Sequence, residues 1–326
     1  MARHYARKIM LSIACIATGC SDGATAPDAN LTSDGDPKGG PLLGAFTVTL
    51  VAPHADGNGG VTEGVTTFFG KVYDGPTPQG TLWTQVETSN GCTLVTPSVP
   101  FCATPCGSTA VCTAANTCTP YPKSQAVGTI KVTGVKSNVG TAFEMSPVVN
   151  GYQPAADVNL QYPAFGDGDT LTLSAGGSSF AGAFATQTTG IATLSISNSP
   201  LELKAGQPLT VQWPAGQNSN TRIDVKLDIS HHGGTKGKIE CEVADTGALT
   251  IAASMIDKLV ALGTAGFPSI ELTRRTKGYA PVATGHIEFI AASMAEVPVT
   301  VPGVISCTGN ENCPQGQTCQ SDLTCK

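Results

Sequence analysis

Charge is scarce in this chain. Of 326 residues, 18 are Lys or Arg and 24 are Asp or Glu, 13% in all. That is about half of the ~25% usual in soluble domains. The balance of -6 leaves no basic field for phosphates, which excludes nucleic-acid binding as a function class. Aromatics amount to 6%. Phe69, Tyr73, Trp83 and Trp213 are scattered along the chain and read as core side chains rather than a stacking platform. Apolar runs long enough to span a bilayer are missing. So are a G-x-S-x-G elbow, a phosphate-binding P-loop and a dinucleotide glycine fingerprint, and no cofactor is expected. Gly (38), Pro (22) and many Thr take up the space. That mixture favours short strands and turns over long helices. Hydrophobic residues, at 40%, are enough to build a packed core.

The first residues read as a targeting segment. Arg3, His4, Arg7 and Lys8 precede a short apolar run, Ile9 to Thr18, of signal-peptide length. The run ends in Ala17-Thr18-Gly19-Cys20. Small residues before a Cys in that setting resemble the lipobox of bacterial lipoproteins, with Ala17 where that family favours Leu. The resemblance implies a signal peptide over 1–19 and a mature chain that begins at Cys20 with lipid on its sulfur and amine. The partner so implied is a membrane, held by more than one acyl chain. Ser21, in a place where Asp directs inner-membrane retention in that family, implies the outer membrane. Cleavage without lipid, and modification at Cys15, are the competing readings. Residues 20–43 are polar, rich in Asp, Gly and Pro, and are expected to form a disordered tether.

Cysteine is plentiful, with 12 residues. In a secreted chain such a count means disulfides. Cys106, Cys112 and Cys118 share a C-x5-C spacing with Cys307, Cys313, Cys319 and Cys325. Equal spacing in the tail lets it close first to third and second to fourth, as Cys307–Cys319 and Cys313–Cys325. About twenty residues bury no core of their own, so bridges must replace it. Zinc sites, the rival reading, use ligand pairs two to four residues apart. Cys241 alternates with charged residues in KIECEVA and faces inward on a strand. Pairing Cys92 with Cys241 leaves Cys102, Cys106, Cys112 and Cys118 to close a local loop. The assembly of lipobox and Cys-rich modules is similar to uncharacterised Cys-rich lipoproteins of Gram-negative bacteria. That likeness implies a cell-envelope location and a non-enzymatic binding or structural role, with an envelope protein or glycan as partner.

Period-two alternation predicts strands at Phe46/Val48/Leu50, Ile130/Val132, Leu171/Leu173 and Leu209/Val211/Trp213. Ile223, Val225, Leu227 and Ile229 alternate strictly with Arg222, Asp224, Lys226 and Asp228. The loop SHHGGTKG should turn that strand into a hairpin with the Cys241 strand. Ala252 to Leu262, stopped by Gly263, reads as one short helix. Separate strands fit Ile270/Leu272, Ile287/Phe289 and Val297/Val299/Val301. The expected fold is mainly β: sandwich units of immunoglobulin-like pattern, one helix and small disulfide-rich segments. The expected divisions are 44–150, with a Cys-rich insertion at 97–123, then 151–303, then a separate knob at 304–326.

Two constellations could carry chemistry. Asp245-Thr246-Gly247 after apolar residues resembles the active-site loop of retropepsin-like aspartic proteases, which implies Asp245 as one of two carboxylates sharing a proton. The plainer reading is a turn whose Asp caps its own backbone. His231 and His232 lie in a hairpin loop near Asp228, Glu240 and Glu242, a donor set that could hold zinc or copper. In an extended chain, however, neighbouring side chains point opposite ways. A hydrolase built on either site is the alternative function.

Overall fold

The structure is a computed structural model that describes residues 40–55 and 60–326. All of them fall in one compact unit, Leu31–Lys326. The principal strands, in chain order, are β1 (Leu42–Val51), β2 (Val65–Tyr73), β3 (Leu82–Ser89), β4 (Cys92–Ser98), β5 (Ile130–Ser137), β6 (Gly140–Met145), β7 (Thr170–Ala175) and β8 (Phe184–Thr189). They continue as β9 (Leu209–Gln212), β10 (Arg222–Asp228), β11 (Lys238–Ala244), β12 (Ala248–Ile251), β13 (Ser269–Val282) and β14 (Gly285–Thr300). Among the described residues one α-helix forms, α1 (Ala253–Ala261), and it precedes β13.

An eleven-stranded sheet forms the backbone of the molecule, in the order β2-β1-β14-β13-β10-β11-β4-β3, with short strands at its margins. Most neighbours are antiparallel, but β1 runs parallel to β14, from Leu42 opposite His286 to Val51 opposite Met294. A four-stranded sheet, β6-β5-β7-β8, covers one part of the large sheet, and the β9–β12 pair with α1 covers another. The result is a β-sandwich with two cores. Phe46, Val48 and Leu50 of β1 meet Val132, Leu171 and Leu173 in the first. Ile223, Val225 and Leu227 meet Leu209, Val211 and the Met255, Ile256 and Leu259 face of α1 in the second.

The β13–β14 hairpin serves both cores. Ile287, Phe289 and Ala291 of β14 enter the first, and Val299 enters the second. Ile270 and Leu272 of β13 belong to the second. The stretches read as separate strands at Ile287/Phe289 and Val297/Val299 are therefore two ends of one strand. Small residues, Ala291 to Ala295 around Met294, fill the middle and interrupt the signal. The boundary expected at 150/151 separates neither core, because residues from both sides of it enter each one. At Gly278 the second sheet comes so close that a Cβ would sit 1.9 Å from the Gln187 carbonyl oxygen, so only glycine fits.

Among the described residues, five disulfides close the fold. Cys92–Cys241 ties β4 to β11, where the two residues are directly opposite. Cys102–Cys112 and Cys106–Cys118 staple the insertion. Cys307–Cys319 and Cys313–Cys325 staple the tail. The tail is docked rather than a separate knob. The Gly266 amide donates to Asp322 O at 2.7 Å, and the Ser306 hydroxyl donates to Gly266 O at 2.6 Å. Gly266 itself is at φ +57, with His231 O where a Cβ would stand.

Candidate functional site

Asp245 lies on the turn after β11, in the seam between the two cores. Its carboxylate accepts four hydrogen bonds. Arg274 donates from Nε at 2.7 Å and Nη2 at 3.1 Å, Trp213 from Nε1 at 2.7 Å, and the Gly216 amide at 3.0 Å. The two charged side chains are 1% and 3% exposed. Arg274 projects from β13 on the same inward face as Ile270 and Leu272. Its remaining N–H groups reach the carbonyls of Ala192, Thr193 and Pro214. The neighbour of Asp245 is thus a guanidinium, not a second carboxylate, and the arrangement ties three loops together. The Asp-Thr-Gly resemblance ends at the triplet. The expected self-capping turn also differs from what forms, because the carboxylate reaches across the seam instead of back to its own backbone.

His231 and His232 sit in the β10–β11 loop. Contrary to the expectation for an extended chain, their rings meet at 3.9 Å, because His232 adopts φ +64 and folds back on its neighbour. The His231 carbonyl accepts from Phe267 N at 2.8 Å, which fixes the loop against the tail-binding segment. Among the described residues, three or more metal-type side chains converge in two places only: Cys102/Cys106/Cys118 and Cys307/Cys313/Cys325. Those sulfurs are all in disulfides, and a metal needs the thiolate. Cys20 and the leader lie outside the described residues.

The insertion is where the surface is most unusual. Ala110–Ala114 and Thr117–Pro120 pair as a small hairpin with Cys112 opposite Cys118. Its tip, Asn116, is at φ +56. From there its amide donates to Phe101 O at 3.1 Å and its side-chain oxygen accepts from Ala103 N at 2.9 Å. Thr113 and Thr119 hydroxyls bond across the hairpin at 2.7 Å. With its backbone so held, Phe101 points into solvent, 77% exposed, beside Val99 at 74%. Tyr121 is also exposed. Sequence pattern gives no hint of this, since a lone Phe between Pro100 and Cys102 has no periodic neighbours. Of the four aromatics read as core, Trp213 is buried. Phe69 is exposed on the outer face of β2, and Trp83 lies half-buried under the Lys238 ammonium at 4.1 Å.

A polar cleft opens along the seam, lined by Thr170, Gln187, Thr189, Asn220, Arg222 and Lys277. Lys277 is paired with Glu288 at 3.2 Å. No family model matches the chain, and no curated protein does. Among solved structures, the FN1–FN3 domains of chicken CNTN1 align over 72% of each chain, with 11% identity and a TM-score of 0.17. So loose a superposition says nothing about this chain. Its assignment as a disulfide-stapled β-sandwich protein rests on the strand pairing described above.

Proposed function

We propose that the chain is a non-enzymatic binding protein of the cell envelope, anchored through lipid on Cys20 and sorted to the outer membrane. It engages a protein partner through the 97–123 insertion. The observation that carries the binding role is Phe101, held outward with Val99 on a frame of two disulfides. An exposed aromatic on a pre-ordered loop is the kind of anchor that dominates protein interfaces, since little freedom is lost on binding. The lipobox-like Ala17-Thr18-Gly19-Cys20 supports the anchor. The engagement of Asp245 by Arg274 speaks against the protease alternative.

Two measurements test the reading. Palmitate labelling should mark the wild type and not Cys20→Ala; an unlabelled wild type defeats the anchor. Crosslinking in the native envelope should yield a defined partner whose affinity falls roughly 30-fold in Phe101→Ser, as for a central interface anchor. Equal capture by Phe101→Ser defeats the insertion as the binding element.

A further inference from the structure

We propose that the β2 edge of the first core, built from Phe69 and the Val148–Gly151 turn, is a membrane-contact face that rests on the bilayer holding the anchor. The inference depends on the lipoprotein reading above.

The turn is the first observation. Val148 and Gly151 exchange both backbone hydrogen bonds, at 2.8 and 2.9 Å, and the two central residues, Val149 and Asn150, have φ +50 and +59. This is a type I′ turn, which ordinarily takes Asn-Gly. A β-branched residue at positive φ carries a steric cost. Packing does not offset it, because Val149 is 91% exposed and Val148 is exposed beside it. An apolar tip is held out in water at the fold's expense, and a contact outside the fold is what would remove it from water.

The surroundings define the contact. Val65, Thr67, Phe69, Lys71 and Tyr73 share the outer face of β2. Phe69 is 55% exposed, and its ring adjoins Gly151, at 4.0 Å from where a Cβ would stand. The Lys71 ammonium lies 5.5 Å over the Tyr73 ring. Asn150 Nδ2 donates to Ser124 O at 2.9 Å, which brings exposed Lys123 alongside. The nearby Asp74 carboxylate is taken up by the Lys123 amide at 2.7 Å. Aliphatic tips flanked by aromatic rings and lysines suit the headgroup boundary, where rings sit at the interface and ammonium groups meet anionic lipid.

The chain's path singles out a bilayer as the occupant. Gly44 is opposite Val72 and Gly151 is opposite Lys71. The described chain therefore begins, at Gly40, at the same end of the sheet as the turn. Cys20 precedes Gly40 by twenty residues, a span of at most about 70 Å. Anchoring there keeps this end of the molecule at high effective concentration near lipid.

The test uses the full chain with Cys20→Ala and vesicles of phosphatidylethanolamine and phosphatidylglycerol. Adding Val149→Asp should lower the vesicle-bound fraction about tenfold, the worth of one buried Val. The comparison within one background cancels any contribution of the leader. Val149→Gly should lower binding similarly while melting no lower than its parent, which separates lost contact from lost fold. In the lipidated chain anchored in vesicles, Val149→Trp should gain fluorescence that brominated acyl chains quench. Equal binding by Val149→Asp, or a tip Trp that is not quenched, overturns the proposal. A dimer in vesicle-free solution that Val149→Asp dissolves would assign the face to a second copy and overturn it as well. Palmitate labelling reads the anchor by itself. An unlabelled wild type defeats the lipoprotein reading, whereas an unquenched tip in a labelled chain defeats only this one.

Discussion

Replacing Asp245 by Ala should be among the most damaging single changes in the protein. The substitution leaves the Arg274 charge 1% exposed, with the carbonyls of Ala192, Thr193 and Pro214 as its remaining partners. It also strips Trp213 Nε1 and the Gly216 amide of their acceptor. Breaking one side of a buried ion pair costs about 3–5 kcal/mol, well above the ~1 kcal/mol of a turn cap. For a chain of this size each kcal/mol moves the melting temperature by roughly 2 °C, so Asp245→Ala should melt about 6–10 °C below wild type. The pair is shielded from solvent, so the loss should change little between low and high salt. Replacing both partners together, as Asp245→Leu with Arg274→Met, should recover much of the loss, because no unpaired charge remains. Thermal denaturation under oxidising conditions measures all three proteins. An Asp245→Ala melting point within 2 °C of wild type would refute the reasoning. So would peptidase activity at pH 4–5 that disappears in the same variant.

Three other outcomes are expected. Tyr152→Phe removes the hydroxyl that accepts from Val127 N at 2.7 Å and donates to Gly128 O at 2.9 Å; stranding those buried groups should cost about 1–3 kcal/mol in denaturant titrations. Hydrogen bonds from Lys326 and then Thr324 hold the Asp322 carboxyl down at about 2. Its support for the tail's own fold is therefore complete above the ordinary value near 3.8 and fades as pH falls toward 2. Amide exchange in residues 304–326 should accelerate over that window, and Asp322→Asn should abolish the pH dependence. Cys92→Ser with Cys241→Ser opens a loop spanning a sequence separation of 149, worth about 5 kcal/mol on the chain-entropy account; a loss under 1 kcal/mol in urea unfolding would contradict it.

Where one face of a strand is apolar and the other charged, the sequence was readable. Arg222–Asp228 alternates without exception, and both its faces behave accordingly. Helix α1 was legible from Met255, Ile256, Leu259 and the Gly263 stop. β2 was not, because adjacent Phe68 and Phe69 point to opposite faces and conceal the period. The continuity of β13 was hidden by its own inward positions, since Arg274, Thr276 and Gly278 look like a break in a core strand. Local spacing also could not pair Asp245 with Arg274, which lies 29 residues on. The exposure of Phe101 depends on an Asn116 contact that forms only once the hairpin is closed.

The parallel pairing of β1 with β14 carries a consequence for biogenesis. Residues 42–51 are synthesised early, yet their partner is residues 286–294, made much later. The other neighbour of β1, β2, is close behind it, but on its own it can offer only an isolated hairpin, which is marginal in water. The first core also needs Ile287, Phe289 and Ala291. A chain of this design must therefore stay open through much of its synthesis, and can close β1 into the sheet only after β14 has been made.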